Sequence, residues 1–323
     1  MTSLRLLTVS CLAAAALSAC HRQSAADEHM SHMAAADRAA PAAVASAGNQ
    51  GNTTLPASNA HSAARIAASP RHAEWVKVAW EPGSKDSLMA WIVYPSTANA
   101  KTPVVVVVHE IYGLSTWVRS VADQVAAEGF IAIAPDLESR VRGGPSTDEL
   151  PRDSAQKLIQ GVNSLERNRG ISAVARYAMS QPSAAPRYAV IGYCWGGTTV
   201  WLHAINGGVP GLVGGVAYYG LPPFSGPVPN ADSLAKIKVP VMLLSGSKDA
   251  RITAGMPALD SAMKSLGKWY FGRNYEGAVH GFLRAQDDPK ATRDETEEQA
   301  NLAATKDAWP RTVEFLKKSL GVK

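Results

Sequence analysis

The run of five valines in PVVVVVH (103–109) constrains the fold of this chain more than any other stretch. Consecutive β-branched residues favour a strand, and a strand that is apolar on both faces must be covered on both faces. FIAIAPDL (130–137) has the same character, and the intervening segment 115–128 carries apolar residues at helical spacing before Gly129. A buried strand, a helix and a second buried strand predict a parallel sheet with helices on both faces.

The same alternation continues through the rest of the chain and predicts one α/β domain over residues 73–323. The remaining predicted strands are WVKVAW (75–80), LMAWIVY (88–94), RYAVIG (187–192), LVGGVAYYG (212–220), VPVMLLSG (239–246) and KWYFGRNYE (268–276). The first of these alternates in polarity, which is typical of an edge strand. A helical region is predicted over 153–181. The last helix is predicted to begin near Trp309, because the proline that follows is harmless in a first turn.

The first twenty residues have the pattern of an export signal. Arg5 precedes an apolar stretch that is too short to span a membrane, and small residues follow it. Its end, LSAC (17–20), resembles a bacterial lipobox, in which cleavage exposes Cys20 for lipid attachment. We therefore expect a protein exported and lipid-anchored to a bacterial membrane, facing the periplasm or the cell surface. The alternative is an ordinary export signal cut near Ala19.

Residues 21–72 are rich in Ala, Ser and His, and they lack the large apolar residues that a folded core needs. We predict a disordered tether. The motif HMSHM (29–33) within it has ligands that suit a soft metal, although a solvated linker accounts for the same residues. For the folded domain we predict no metal and no cofactor. A net charge of +5 without a dense basic stripe argues against nucleic acid as a partner, and we expect a monomer.

The motif GYCWGG (192–197) follows a predicted strand and precedes a predicted helix. This is the outline of the turn that lifts a nucleophile above a sheet, with Cys194 in the nucleophile position. A helix N-terminus stabilises a thiolate, which is the attacking form of cysteine. With Cys11 in the signal and Cys20 used for lipid, Cys194 is also the one free thiol expected in the mature protein. The alternative is a buried cysteine between packing glycines.

A base and an orienting acid are available later in the chain. His280 follows the strand that ends near residue 276, whereas most of the other histidines lie in the predicted tether or beside it. Asp249 follows the strand 239–246 and precedes the histidine; Asp260, the nearest rival, is predicted to lie on a helix. The order Cys, Asp, His, with each residue after a strand, is that of a hydrolase triad.

HEIYG (109–113) follows the valine strand, where this architecture places half of an oxyanion hole. The backbone amides of Ile111 and Trp195 are the candidate donors. Glu110, in the same loop, is either part of the chemistry or a solvated carboxylate.

Several segments resemble those of the dienelactone hydrolase family, in the same order and over nearly all of 73–323. They are HEIYGL, APDLESR (134–140), RYAMSQP (176–182), GYCWGG, AYYG (217–220) and VHGFLR (279–284). The resemblance implies an α/β-hydrolase fold and a triad of Cys194, Asp249 and His280. It further implies that Glu110 interacts with the thiol and helps to generate thiolate.

The same resemblance implies that Arg140 and Arg284 hold the carboxylate of a substrate. A guanidinium group suits a carboxylate because it binds both oxygens at once. Trp195 is bulkier than the aliphatic residue that often follows the family's cysteine, which predicts a differently shaped pocket.

The sequence thus predicts a hydrolase of small-molecule esters or lactones with a carboxylate-bearing substrate. The alternatives are a general esterase or thioesterase with no carboxylate requirement, and an inactive, surface-anchored binding protein.

Overall fold

The structure, a computed structural model, describes residues 53–97, 101–148, 150–288 and 291–322. The predicted signal, the lipidation site Cys20 and the HMSHM motif lie outside the described residues and stay predictions.

Ten strands form within the described ranges: β1 (Ala73–Ala79), β2 (Ser87–Val93), β3 (Thr102–Val108), β4 (Ile131–Asp136), β5 (Ala184–Tyr193), β6 (Leu212–Tyr218), β7 (Phe224–Ser225), β8 (Val228–Pro229), β9 (Val241–Gly246) and β10 (Tyr270–Tyr275). Eight of them make one sheet in the order β1-β2-β4-β3-β5-β6-β9-β10, and β7 and β8 form a separate ribbon. From β4 to β10 all neighbours are parallel, while β1 and β2 run antiparallel at one edge. The eight strands predicted from the sequence are therefore confirmed, with small differences at their ends.

The valine strand β3 is buried at every position and pairs with β4 on one side and β5 on the other. Burial of consecutive residues means that both faces of the strand are covered, as the apolar run predicts.

The described residues also form ten α-helices: α1 (Ser62–Ala67), α2 (Thr116–Ala127), α3 (Ser139–Arg142), α4 (Arg152–Gln160), α5 (Ser164–Met179), α6 (Trp195–Ile205), α7 (Ala231–Ala235), α8 (Ala250–Ser265), α9 (Phe282–Ala285) and α10 (Glu295–Leu320). None of the helices in these ranges is both long and apolar enough to cross a bilayer. The helical region 153–181 divides into α4 and α5. Asn163 separates them by capping α5, since its side chain accepts from the amide of Glu166 while the Glu166 carboxylate accepts from the amide of Asn163.

The predicted start of the last helix near Trp309 is wrong. Helix α10 begins at Glu295, and Pro310 lies inside it rather than in its first turn. The start is set by Asp294, whose carboxylate accepts a hydrogen bond from the amide of Glu297 at 2.8 Å. Acidic residues in the first turn add to this signal, because they favour the positive end of the helix dipole.

Residues 53–72 differ from the expected tether. They contain a 3₁₀ turn (Asn59–His61) and α1, and α1 packs against α2. Leu55 is buried at 4% exposure although its surroundings in the sequence are small and polar. Composition does not predict the order of this segment, because a few apolar side chains and backbone hydrogen bonds suffice to hold it against the domain. The folded part of the chain therefore begins well before residue 73.

Candidate active site

Four of the sequence-predicted residues lie beyond the carboxyl ends of parallel strands. Glu110 follows β3, Cys194 follows β5, Asp249 follows β9 and His280 follows β10. Because these strands run in the same direction, their ends meet at one edge of the sheet.

The turn between β5 and α6 holds Cys194 in a conformation that few non-glycine residues adopt, with φ 55° and ψ −116°. Glycines make this turn possible. A Cβ on Gly192 would lie 2.2 Å from the carbonyl oxygen of Gly196, and a Cβ on Gly196 would lie 2.5 Å from that of Val108. The predicted strand, sharp turn and helix are therefore present, and Cys194 stands at the N-terminus of α6.

The predicted base and acid are in direct contact. His280 Nδ1 lies 2.5 Å from Asp249 Oδ2, and both side chains are largely buried. Burial would raise the pKa of Asp249, but the charge and hydrogen bond of His280 hold it below its ordinary value. An ionised Asp249 fixes the imidazole with its proton on Nδ1, which leaves Nε2 for the reaction.

Cys194 is the partner of His280 on its other side. Burial alone would lower the pKa of His280, but the charges of Cys194 and Asp249 and hydrogen bonds to both outweigh it and raise the pKa to about 10. At neutral pH the imidazole is therefore protonated beside the sulfur. The imidazole is thus held between the carboxylate of Asp249 and the sulfur of Cys194.

Glu110 is paired with one of the two predicted arginines. Its Oε2 lies 3.1 Å from Arg284 Nε, and the carboxyl group is almost completely buried. Its other oxygen, Oε1, has no hydrogen-bond partner among the residues that the structure describes. A Cβ on Gly281, the residue after the base, would lie 4.0 Å from Oε1 and 3.8 Å from the guanidinium. Glu110 and Arg284 thus lie beside the segment that carries His280.

The second predicted arginine has a different environment. Arg140 lies on the short helix α3, is 44% exposed, and forms an ion pair with Glu166 at the start of α5. It does not share the contacts that join Arg284 to Glu110. A role in binding substrate at Arg140 stays a prediction.

Two tyrosines that sequence reasoning did not single out complete the surroundings of the thiol. The ring of Tyr219 lies 4.9 Å from that of His280. Tyr112 lies 5.7 Å from the guanidinium of Arg284. Burial raises the pKa of both, with Glu110 and Cys194 adding to the rise, so both hydroxyls stay protonated. The motifs AYYG and HEIYG contain these residues, but nothing in their spacing assigns them a role.

Trp195, which follows Cys194, is held between two side chains. Its ring stacks on His109 with an interplanar angle of 9°. The guanidinium of Arg167, a residue of helix α5, lies 4.1 Å from the centroid of the Trp195 ring. His109 is itself buried, contacting the Glu110 carbonyl at Nδ1 and accepting from the Leu137 amide at Nε2. The bulky residue after the cysteine is therefore packed between His109 and Arg167. Arg167 is a further residue that sequence reasoning missed.

The thiol is closed off from solvent in this conformation. Cys194 has 0% of its surface exposed and Trp195 has 7%, whereas the side chain of His280 keeps 14%. Access to the sulfur therefore requires movement of a neighbouring side chain. The amides of Ile111 and Trp195 lie at this edge, in the loop after β3 and at the first residue of α6, and their oxyanion role stays a prediction.

Within the described ranges, no three His, Cys, Asp or Glu side chains cluster in a way that could hold a metal ion.

Comparison with known proteins extends these observations. The sequence model of the dienelactone hydrolase family matches residues 88–320. A carboxymethylenebutenolidase from Pseudomonas putida is 31% identical over 199 residues, which are 58% of this chain and 78% of that protein. A "Putative carboxymethylenebutenolidase" from Salmonella typhimurium is 30% identical over 175 residues, and the match spans only 64% of that protein.

Among solved structures, the "Putative Dienelactone Hydrolase" of Klebsiella pneumoniae superposes with a TM-score of 0.62 at 26% sequence identity. The match covers 78% of this chain and all of that one. The family match begins at residue 88, so the packed segment 53–72 lies outside it.

Proposed function

The chain belongs to the dienelactone hydrolase family, and from that membership and the geometry of the site we propose that it hydrolyses carboxylic esters or lactones with Cys194 as nucleophile. The observation that carries the proposal is the position of His280, protonated and held between Asp249 and the sulfur. A buried cysteine that served only to pack between glycines would not require this pair.

In the first half of the reaction, the Cys194 thiolate attacks the carbonyl carbon of the substrate and a C–S bond forms. The carbonyl oxygen becomes an oxyanion, for which the amides of Ile111 and Trp195 are the proposed donors. The C–O bond then breaks, and His280 gives its Nε2 proton to the departing alkoxide. A thioester on Cys194 remains.

In the second half, neutral His280 takes a proton from water, and the hydroxide attacks the thioester carbonyl. The C–S bond breaks and the sulfur leaves as thiolate beside the imidazolium. Asp249 stays ionised throughout and keeps the ring oriented, as the low pKa of its carboxyl group requires. The products are an acid and an alcohol, or a hydroxy acid from a lactone.

We propose further that the substrate carries a carboxylate and that Arg284 binds it. Arg284 is now occupied by Glu110, so the incoming carboxylate would compete for the guanidinium. A displaced Glu110 would be a buried carboxylate without its cation beside Cys194 and His280, and the part it plays in generating thiolate stays a prediction.

Substitution of the nucleophile tests the proposed activity. Cys194→Ala should reduce kcat/KM for a p-nitrophenyl ester or a dienelactone by roughly a thousandfold or more. Asp249→Asn should cause a loss of the same kind, because the ring would lose its orienting charge. Asp260→Asn is the matched control, since Asp260 is the rival acid and lies on helix α8. Near-normal turnover by Cys194→Ala would reject the assignment.

A comparison of anionic and neutral esters separates the proposed substrate class from a general esterase or thioesterase. Arg284→Met should raise KM for the anionic ester and leave that for a neutral ester of the same alcohol nearly unchanged. Equal effects on both would favour the general esterase. If neither ester nor lactone is turned over by the unaltered protein, the binding-protein alternative gains support.

We also propose that the mature protein is anchored through lipid on Cys20, on the basis of the lipobox-like sequence alone. Cys20→Ser should release it from the membrane fraction of a bacterial host and abolish labelling by a radioactive fatty acid. Retention in the membrane without label would contradict the proposal.

A further inference from the structure

The N-terminal segment that precedes the family match contacts the structures that support both the nucleophile and the base. We call residues 54–61 the strap. From Leu55 to Ser58 every residue of the strap is buried, so this short stretch lies under other parts of the domain and not on its surface. Its chain passes between α2 and the loop that follows α9, as the hydrogen bonds below show.

The first contact leads from the strap to the base. The side chain of Gln286, which is fully buried, donates from Nε2 to the carbonyl oxygen of Pro56 at 3.1 Å and to that of Leu283 at 3.0 Å. Gln286 directly follows α9, the one-turn helix that carries Arg284 and begins two residues after His280. One side chain therefore joins the strap to the segment that positions the base.

A second pair of contacts fixes the same loop. Ser58 Oγ donates to the carbonyl oxygen of Asp287 at 3.4 Å, and His61 Nδ1 lies 3.5 Å from the carboxylate of that residue. Asp287 has a positive φ of 55°, which is unfavourable for a residue with a Cβ and must be held by its neighbours. The strap is one of these neighbours.

The third contact leads from the strap to the nucleophile. Trp117 on α2 is fully buried and donates from Nε1 to the carbonyl oxygen of Ala57 at 3.1 Å. Its ring meets that of Tyr193 edge to face at 5.0 Å, and Tyr193 precedes Cys194 in the chain. Tyr193 in turn contacts Tyr219, the ring beside His280.

Arg65, a residue of α1, fixes the strap by a hydrogen bond to its backbone. Its Nη1 donates to the carbonyl oxygen of Leu55 at 3.0 Å and to the side chain of Gln124 at 3.1 Å. The strap is thus fixed at one end to α1 and α2, and it presents the carbonyl oxygens of Pro56 and Ala57 to the two indirect supports of the site.

We propose that the strap is a positioning element of the active site, and that Gln286 and Trp117 are positioning residues through which it sets the distance between Cys194 and His280. Neither residue touches substrate. This positioning role rests on the proposed function, because the site that the strap positions is the proposed active site. A buried carbonyl oxygen that loses its hydrogen-bond donor destabilises the folded state. Loss of the donor should therefore shift the segment that this hydrogen bond holds.

The test uses the full chain with Gln286→Met, which keeps the size of the side chain and removes the donor, and Trp117→Phe, which removes the indole N–H. Gln299→Met is the matched control, since Gln299 is an exposed residue of α10 whose side chain donates to the carboxylate of Glu295 on the same helix. For each variant three quantities are measured: the melting temperature, kcat and KM on an ester, and the pKa of His280 by NMR. The last needs no substrate.

We expect Gln286→Met and Trp117→Phe each to lower kcat about tenfold with little change in KM, and to lower the pKa of His280 by at least about one unit as the ring moves away from Cys194 and Asp249. The control should leave all three quantities unchanged. If both variants melt earlier but keep the kcat and the His280 pKa of the parent, the strap merely stabilises the fold and the inference is overturned. Should the parent protein hydrolyse no ester, the proposed function fails, and the pKa of His280 still decides whether the strap positions the ring.

Discussion

Removal of the Cys194 sulfur should lower the pKa of His280. The imidazole is buried, and burial alone favours its neutral form. The ring nevertheless stays protonated because Cys194 and Asp249 both face it and hydrogen-bond to it, and the charge interaction with Cys194 is the largest of the influences that raise its pKa. Cys194→Ala takes this charge away and leaves the contact with Asp249, at 2.5 Å, in place.

The size of the effect follows from the environment of the ring. A rise in pKa from 6.5 to about 10 corresponds to about 5 kcal/mol in favour of the protonated form, at ~1.4 kcal/mol per pKa unit. Loss of an opposite charge within contact distance commonly changes a pKa by about 1–3 units. We therefore expect the pKa of His280 in Cys194→Ala to fall by at least about one unit, toward the ordinary range of histidine.

The same linkage gives the sign of the effect on stability. Because the pKa of His280 is raised in the folded state, its contribution to the free energy of unfolding is present in full below pH 6.5 and is lost as the pH rises through about 10. In Cys194→Ala the loss should occur at lower pH and be smaller. Urea denaturation at a series of pH values measures this difference.

Titration of the histidine side chains by ¹⁵N-resolved NMR tests the prediction directly, with the His280 signal identified from its absence in His280→Gln. His203 is an internal control, since it is buried far along α6, burial lowers its pKa to about 3, and its titration should not change. If the pKa of His280 in Cys194→Ala stays within a few tenths of the parent value, the sulfur carries no charge beside the ring. The thiolate–imidazolium pair would then be refuted.

Three further predictions follow from packing and charge. Glu138 is buried and close to Asp136, and burial is the main cause that raises its pKa from 4.5 to about 8, so the folded state loses stability as the pH rises from 4.5 to about 8. Glu138→Gln should abolish this loss, as measured by urea denaturation at pH 5 and pH 9. The same change in stability between the two pH values in both proteins would contradict the prediction. Gly196→Ala should destabilise the domain by about 1–3 kcal/mol and reduce activity, because the new Cβ would lie 2.5 Å from the carbonyl oxygens of Val108 and His109; an unchanged melting temperature would argue against so close an approach of α6 to β3. Asn163→Ala should cost about 1 kcal/mol through loss of the cap on α5 and leave kcat unchanged, and calorimetry with an ester assay measures both.

Much of the fold follows from local pattern. An apolar or alternating run predicts each of the eight strands of the sheet. The order of these strands along the chain places Cys194, Asp249 and His280 at one edge. Residues that lie directly after strands can be located in this way because a parallel sheet converts chain order into spatial proximity. The contact between His280 and Asp249 was predicted on this ground and is present.

Features that depend on contacts between distant residues could not be predicted. Arg140 and Arg284 both match family motifs, yet their partners differ. Arg284 pairs with Glu110, whereas Arg140 pairs with Glu166 at the start of α5. The stacking of Arg167 on Trp195 joins residues that no sequence period relates. Pro310 shows a different difficulty, since a proline suits both the first turn of a helix and, at some cost, its interior.

The burial of Cys194 has a consequence for how long the enzyme survives under oxidising conditions. A thiolate is the form of cysteine that peroxide attacks, and each oxidation needs an encounter between the oxidant and the sulfur. With no surface exposed, the sulfur meets an oxidant only during the openings that also admit substrate. If Cys194 is the nucleophile that we propose, the rate at which it is oxidised is therefore set by how often the site opens.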